Sequence, residues 1–385
     1  MGNDFKMNIA ILGFGTVGYG VYDMASHTEN LTVKYVLDLK KHEDITAKSV
    51  TDIKEILEDS SVDTVVELIG GENPAYSFIK SALLAGKNVI TANKLVISKH
   101  YEELTALSKQ QNVALRYTAA VGGGIPWLVN LERTLRISRV HRVRGIFNGT
   151  TNYILDAMHK DGETFEAALK EAQRLGFAEA DPSSDIDGLD TQRKIAISAN
   201  VAFGVLVNPD EINVSGIRSV SAEAVKDCEE HGYVCKLMAK ARNKNGAISV
   251  WVEPTFVKKT SSYAAVAQNY NRISYDADHV GRGSFSGFGA GRYPTAYTVV
   301  GDCIDVANGV KKAYNSNMRP VHIDNSIVAH RYYVKTTAEN DWLKENTESV
   351  WRHGVLLKPV SVGKMHEMAA EIQKTDPNIF IAGVY

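Results

Sequence analysis

Cysteine is scarce in this sequence. Only Cys228, Cys235 and Cys303 occur in 385 residues. An odd count supplies no disulfide framework, and the spacing of Cys228 and Cys235 is not that of zinc ligands. Reduced thiols in a cytoplasmic protein are the expectation. Long apolar runs are also missing: none reaches the ~20 residues needed to span a bilayer. Residues 1–7 lack the apolar centre of a secretory leader. Met1-Gly2 suggests myristoylation, but Lys6 stands where Ser or Thr is wanted. Asn148-Gly149-Thr150 fits a glycosylation sequon that has no use without secretion. Charge of one sign is lacking as well. The formal net charge is -2, without long runs of either sign, which excludes a general nucleic-acid or anionic-membrane surface. It leaves room for an anionic cofactor, which needs only local donors. There are no repeats and no low-complexity tracts. What remains is an ordinary globular chain of about two to three domains, with 44% hydrophobic residues to build its cores.

The first third alternates short apolar runs with helical patterns. The runs lie at 8–12, 33–37, 64–68, 88–90 and 113–117. Pro74 and Gly86 bracket one helix at 75–85. Leu104 and Leu107 mark another over 101–110. Such strands separated by helices imply a parallel sheet covered on both faces. From Val140 the texture changes. Residues 140–147 alternate as a half-exposed strand does. Helices are expected at 165–174 and 192–203, and 236–241 with 248–252 reads as a hairpin. A glycine-rich stretch at 281–291 precedes a helix at 294–310. The fold class expected is α/β: an N-terminal Rossmann domain over 1–137, completed by about 292–325, with an inserted α+β substrate and dimerisation domain over 138–291. Residues 326–385 form a short, separable C-terminal tail.

Gly13-Phe14-Gly15-Thr16-Val17-Gly18 follows the first strand and opens a helix. The first glycine permits a tight turn, the second a close approach by a pyrophosphate, and the third helix–strand packing. Helix N-terminal N–H groups then face the phosphates. Asp38 stands at the end of the next strand, where a ribose-binding carboxylate belongs. Val65-Val66-Glu67-Leu68-Ile69-Gly70-Gly71 ends the third strand, and Thr91-Ala92-Asn93-Lys94 the fourth. Ligands lie at such carboxyl ends, which puts Lys94 beside the cofactor; its alternative is a solvated loop lysine. Gly122-Gly123-Gly124-Ile125-Pro126 lets backbone pass close to a neighbour, and Asn148-Gly149-Thr150-Thr151-Asn152-Tyr153 opens a helix with small polar groups. Glu179, Asp181, Asp185, Asp187 and Asp190 crowd one turn leading into a helix. Their spacing is not that of an EF-hand, and an acidic first turn explains only some of them. Asp190 and Lys194 share a helix face, as surface salt bridges commonly do.

In this order, GFGTVG, VVELIGG, TANK, GGGIP, NGTTNYIL, GFAEADPSSDIDGLDTQRK and GFGAGRYPTA resemble the homoserine dehydrogenase family over residues 8 to about 312. The resemblance implies reversible NAD- or NADP-dependent interconversion of L-homoserine and L-aspartate 4-semialdehyde, in threonine and methionine biosynthesis. It also implies a homodimer or homotetramer. Carried over by motif, Gly13, Phe14, Gly15, Thr16, Val17, Gly18, Asp38, Gly70 and Lys94 would hold the cofactor. Gly291 would close over it, and Gly176 and Glu179 would border it. Gly176, Glu179 and Asp190 would bind the amino acid. Lys194 would be the proton donor and acceptor, with Lys94 as a second catalytic ammonium.

Three departures stand out. Thr118 follows Tyr117 where the family often has a glutamate that holds a monovalent cation, leaving the carbonyls of Val121, Gly123 and Ile125 for such an ion. Trp127 replaces a smaller aliphatic. The tail resembles an ACT-like fold missing one strand, with strands at 331–335, 354–360 and 379–384; an element for dimer packing is favoured over a regulatory domain. Two alternatives accompany this reading. One is a Rossmann oxidoreductase acting on another small amino or hydroxy acid. The other is a non-catalytic dinucleotide-binding sensor.

Overall fold

The computed structural model describes residues 6–311 and 318–385. The leader and myristoylation readings at residues 1–5, and residues 312–317 of the segment expected to complete the first domain, lie outside the described residues. The chain forms two compact units. One comprises Met1–Arg136, Gly204–Leu206 and Phe288–Pro320; the other Ile137–Phe203, Val207–Gly287 and Val321–Tyr385.

The first unit is a parallel sheet in the order Lys48–Val50, Leu31–Leu37, Met7–Leu12, Thr64–Glu67, Asn88–Thr91, Leu115–Arg116. This is the doubly wound Rossmann order, whose direction reverses between Met7–Leu12 and Thr64–Glu67. Ile9, Ala10, Ile11 and Leu12 are all buried, because helices cover both faces and no polar alternation is required. Lys48–Val50 was not anticipated: three residues, one of them exposed, carry no hydrophobic pattern. Val65–Glu67 therefore ends the fourth strand, and Thr91 the fifth. The helix Arg292–Ala307 completes this unit. Its Ala296, Val299 and Cys303 join Ile9, Ile11, Val21 and Val66 in one core. It lies against the helix Thr16–Ser26 at Gly20, where an added Cβ would stand 2.8 Å from Arg292 Cγ.

The second unit is organised by one long hairpin. Tyr233–Lys244 and Ala247–Lys258 pair across twelve positions, well beyond the 236–241 and 248–252 expected. Asn245 and Gly246 make the turn with φ of 55° and 95°, the conformation that matches strand twist and that Asn-Gly favours. The mixed sheet runs Gly281–Phe288, Tyr270–Ala277, Val140–Ile146, Tyr233–Lys244, Ala247–Lys258, Phe380–Val384, Ala329–Lys335, Val355–Ser361, Thr347–Val350. The glycine-rich stretch expected at 281–291 is thus mostly an edge strand. Its exposed, Gly-interrupted sequence carries no strand-like alternation.

The C-terminal residues differ from expectation in two ways. They are continuous with this sheet: Phe380–Val384 pairs in parallel with Thr255 and Phe256. They also lack no strand. Thr347–Val350 pairs with Val355–Ser361, which completes a strand–helix–strand–strand–helix–strand unit of the split βαβ type. That strand is mostly exposed and follows the helix Asp341–Asn346 without a loop, so it reads as helix continuation in the sequence.

Glu253 ties the hairpin to the C-terminal segment. It is fully buried. Its carboxylate accepts from Tyr332 Oη at 2.9 Å, Trp251 Nε1 at 2.9 Å and Lys240 Nζ at 3.1 Å. His330 Nε2 is 3.1 Å away and His366 Nε2 3.4 Å. Burial works to raise its pKa, but Lys240, His330 and His366 outweigh it and hold the carboxyl well below its usual range. A depressed carboxylate contributes stability above its unfolded pKa and loses it as pH falls through the folded value. Glu253→Gln leaves Lys240 without its counter-charge. It is expected to cost ~3–5 kcal/mol at pH 7, and the cost should shrink steadily below about pH 4. Urea unfolding of parent and variant across pH 3–7 checks this; equal midpoints at pH 7 would contradict it.

Candidate active site

The glycine loop lies in the first unit. Gly13 has φ of +90°, and a Cβ there would meet Ile69 backbone at 2.9 Å. A Cβ on Gly18 would stand 2.0 Å from the Gly13 carbonyl oxygen. Gly15 faces open space within 4 Å. These are the three distinct demands of a pyrophosphate loop: a left-handed turn, a tight helix–strand approach and an unobstructed backbone. The helix Thr16–Ser26 begins without a capping side chain. Its first N–H groups are thereby left to a ligand. Phe14 supports the loop from beneath, its ring 4.7 Å from that of His42 and 5.6 Å from that of Tyr22. Thr16 is exposed and Val17 partly buried.

Asp38 closes the loop from the second strand. Its Oδ2 accepts from Phe14 N at 2.8 Å and its Oδ1 from Leu39 N at 2.6 Å. Burial works to raise its pKa, but these two N–H groups and His42 outweigh it and hold the carboxyl below its ordinary value. A fixed carboxylate at this strand end suits a ribose hydroxyl and repels a phosphate.

The motifs at Glu67 and Asn93 build one another. Buried Glu67 accepts from Thr91 Oγ1 at 2.6 Å and from Ile69 N at 2.8 Å. Desolvation raises its pKa against these donors. Asn93 Nδ2 donates to Gly71 O at 2.7 Å, while its Oδ1 accepts from Val96 N and caps the helix Lys94–Lys99. Lys94 is the first residue of that helix and is partly buried. Gly70 has φ of +78° and open space beside it. The neighbour that the triple glycine approaches is the late glycine stretch: a Cβ on Gly123 would lie 2.6 Å from Gly289. Gly291, with φ of +116°, precedes the helix Arg292–Ala307.

The carbonyls of Val121, Gly123 and Ile125 are the candidates for a monovalent cation whose carboxylate ligand the sequence lacks, and the surroundings do not fit one. The Thr118 hydroxyl donates to Asp302 at 2.7 Å, and Asp302 also takes Arg116 Nε at 3.1 Å. The Gly123 carbonyl accepts from Thr298 Oγ1 at 2.7 Å. The carboxylate that would neutralise an ion is replaced by an alcohol turned to another partner. Trp127 is fully buried.

The second unit holds Lys194. Lys194 and Asp190 are not a surface pair: their side chains are 9% and 4% exposed, with Nζ 2.7 Å from Asp190 Oδ2. Lys194 Nζ also donates to Phe147 O at 2.8 Å. Asn148 Nδ2 bridges Asp190 Oδ2 at 2.8 Å and Asp185 Oδ1 at 2.7 Å, while its Oδ1 caps the helix Gly149–Lys160. Asn271 Nδ2 donates to the same Phe147 carbonyl. One cluster therefore joins the end of a strand, the start of a helix and the face of a second helix around one ammonium.

The acidic turn separates into distinct roles. Asp181 accepts from Ser183 N, and Asp187 pairs with Arg218. Glu179 is exposed, and its carboxylate has no hydrogen-bond or ion-pair partner among the described residues. Gly176, φ +76°, ends the helix Phe165–Arg174. Thr150 Oγ1 fixes the turn through Phe177 O at 2.5 Å. Asn148, Asp185 and Asn271 were not named as site residues from sequence. The NGTTNY motif was the available signal for Asn148; nothing in the sequence marks Asn271.

A pyrophosphate loop at a topological switch point and a buried, fixed lysine define a Rossmann-type oxidoreductase that uses a nicotinamide dinucleotide. Residues 13–118 match the homoserine dehydrogenase NAD binding domain, and 126–304 match homoserine dehydrogenase. The chain belongs to the homoserine dehydrogenase family, whose members work in amino-acid biosynthesis. It is 37% identical over 349 residues to a homoserine dehydrogenase of Lactococcus lactis, covering 85% of this chain and 82% of that one. It is 39% identical over 316 residues to one of Synechocystis, covering 78% and 73%. A homoserine dehydrogenase structure from Thiobacillus denitrificans aligns with a TM-score of 0.87 at 28% identity, over 99% of this chain and 98% of that one. A hyperthermophilic archaeal homoserine dehydrogenase in complex with NADPH aligns at 0.69 and 26% identity, over 80% and 99%. The family sets aside the sensor and the oxidoreductase of another substrate class. No helix among the described residues is long and apolar enough to cross a membrane.

The glycine geometry predicts two different failures. Gly18→Ala forces the loop open, so both NADH affinity and the thermal midpoint of the first unit should fall. Gly15→Ala has room in the folded chain but fills the ligand's space, so NADH affinity should drop at least about tenfold with the midpoint unchanged. Fluorescence titration with NADH and thermal unfolding separate the two; unaltered NADH binding in Gly15→Ala would contradict the assignment.

Proposed function

We propose that this chain interconverts L-homoserine and L-aspartate 4-semialdehyde with Lys194 as proton donor and acceptor. The observation that carries this reading is the burial of the Lys194–Asp190 pair. An isolated helix-surface pair would gain little and would remain solvated. Here Asp190 and the Phe147 carbonyl take two of the ammonium's donors and fix its position, leaving the third for a substrate oxygen.

A bound nicotinamide would supply the hydride chemistry, taking hydride from the hydroxymethyl carbon or giving it to the aldehyde carbon. In oxidation the hydroxyl proton passes to neutral Lys194 Nζ as the carbonyl forms. In reduction the Lys194 ammonium stabilises the charge growing on oxygen and gives the proton back. Asp190 positions Lys194 and, with Glu179 and the Gly176 wall, receives the substrate's α-ammonium. Gly13, Phe14, Gly15, Thr16, Val17, Gly18 and Gly70 would hold the dinucleotide, with Gly291 bordering it. Lys94 lines that site and supplies a second positive charge. The assembly is a homodimer or homotetramer, measurable by light scattering, and its location is the cytoplasm.

Lys194→Ala should lower kcat by ~10²–10⁴-fold, the range for general acid–base catalysis, with KM and nucleotide affinity changed much less. Asp190→Ala should raise KM for homoserine and also lower kcat, because Lys194 loses the partner that fixes it. A Lys194→Ala rate within threefold of the parent would remove this lysine from the mechanism.

Asp38 sets a further expectation. Its engaged carboxylate disfavours a 2′-phosphate, while Lys40 and Lys41 are exposed and offer partial compensation. NAD should serve at least as well as NADP. A kcat/KM for NADP more than tenfold above that for NAD would contradict this.

A further inference from the structure

The second unit contains a cavity of about 440 Å³ at which the hairpin sheet meets the C-terminal segment. Its size falls within the range of small-molecule sites. None of the residues assigned above to substrate or cofactor lines it. Its floor is built against electrostatic preference. In the pairing of Val140–Ile146 with Tyr233–Lys244, Arg144 stands directly opposite Lys240, and Arg142 directly opposite Arg242. Like charges facing each other across strands are destabilising. The two pairs lie two residues apart, so all four cations share one face of the sheet. Arg282 and Lys258 also line the cavity.

The carboxylates present do not balance this charge. Asp276 serves Arg144 at 3.1 Å, Arg142 at 3.6 Å and Arg282 at 2.8 Å. Glu253 is committed to Lys240 and His330. Arg242 has no ion pair within 4.0 Å among the described residues. Burial, then the neighbouring Arg144 and Arg242, push the Arg142 guanidinium below its usual pKa.

Two buried polar atoms of residues lining the cavity have no hydrogen-bond partner among the described residues: Arg144 Nε and Tyr263 Oη. Tyr263 is 6% exposed. Orphaned buried donors are rare and call for an explanation. The remaining wall mixes apolar and aromatic residues, among them Met238, Trp251, Val257 and Tyr385, with Thr255 and Ser261. Trp251 and Tyr385 stand beside Lys240, whose Nζ lies 3.9 Å from the Tyr385 ring centroid.

We propose that this cavity binds a small anionic metabolite: a carboxylate or phosphate head among Arg144, Arg242 and Tyr263, with an apolar or planar body against Trp251 and Tyr385. An oxyanion would satisfy both orphaned donors and relieve the facing cations through charge-assisted hydrogen bonds. Tyr385 and His330 come from the C-terminal segment, so the ligand would touch that segment and the hairpin sheet together.

The test uses the full chain, saturated with NADH so that the glycine loop cannot take up the probe. Citrate represents carboxylates and inorganic pyrophosphate represents phosphates. Each is titrated by calorimetry against sodium chloride of equal ionic strength. At least one probe should bind saturably, one per chain. Arg144→Gln/Arg242→Gln should weaken that binding at least tenfold, yet unfold at a higher temperature than the unliganded parent because the repulsion is relieved. Tyr263→Phe should weaken it about threefold or more, and serves alone if the double variant fails to fold. The preferred probe identifies the head group. No saturable binding of either probe, or undiminished affinity in the variants, would overturn the proposal. So would a parent that binds neither probe and loses self-association on Arg144→Gln/Arg242→Gln, since a second copy would then meet the charge.

Discussion

A buried ammonium sets the terms for the second unit. Lys194 lies among apolar neighbours on the helix Leu189–Phe203, where Ile195, Ile197 and Val201 are fully buried. An unpaired charge there would cost several kcal/mol. Asp190 compensates it from one turn earlier, and the Phe147 carbonyl from the end of a strand. Asp190 must in turn be held, and Asn148 does so while capping the next helix. Strand end, helix start and helix face are therefore fixed by the same requirement. The chemistry assigned to the lysine gains a rigid frame because the fold cannot leave that charge unsatisfied.

The first unit follows a different logic. Its polar groups lie at strand ends, where the backbone turns away from the sheet, and each turn is stabilised by its neighbour's motif. Glu67 accepts from Thr91, and Asn93 donates to the Gly71 carbonyl while starting the helix that carries Lys94. Asp38 braces the glycine loop from the adjacent strand. The surface offered to a dinucleotide is thus mostly backbone, shaped by side chains that point inward.

Local signals were legible in the sequence. The glycine loop declared itself through strand, turn and helix in succession, and residues 243–246 marked a hairpin connection that the structure narrows to Asn245-Gly246. The Asp190–Lys194 spacing put both on one face, though not its burial. Long-range features were not legible. Lys236, Lys240 and Glu253 occupy core positions of the hairpin and interrupt the apolar pattern that would have revealed its length. Lys48–Val50 and Thr347–Val350 are edge strands whose exposed residues give no alternation. Asn148 contacts a residue 42 positions away, a relation no window of periodicity contains.

The helix Arg292–Ala307 has a consequence for the order in which the protein comes into being. It covers the helix Thr16–Ser26 and contributes Asp302 to a buried contact with Arg116, 186 positions earlier. At ~5–20 residues per second, a ribosome needs about 10–40 seconds to travel between those two residues. Throughout that interval the nascent nucleotide-binding half has an uncovered apolar flank and a guanidinium awaiting its carboxylate. The second unit's N-terminal part is being synthesised meanwhile. The return of residues 292–307 therefore follows synthesis of the second unit's N-terminal part, at a loop-closure cost that grows only slowly with length.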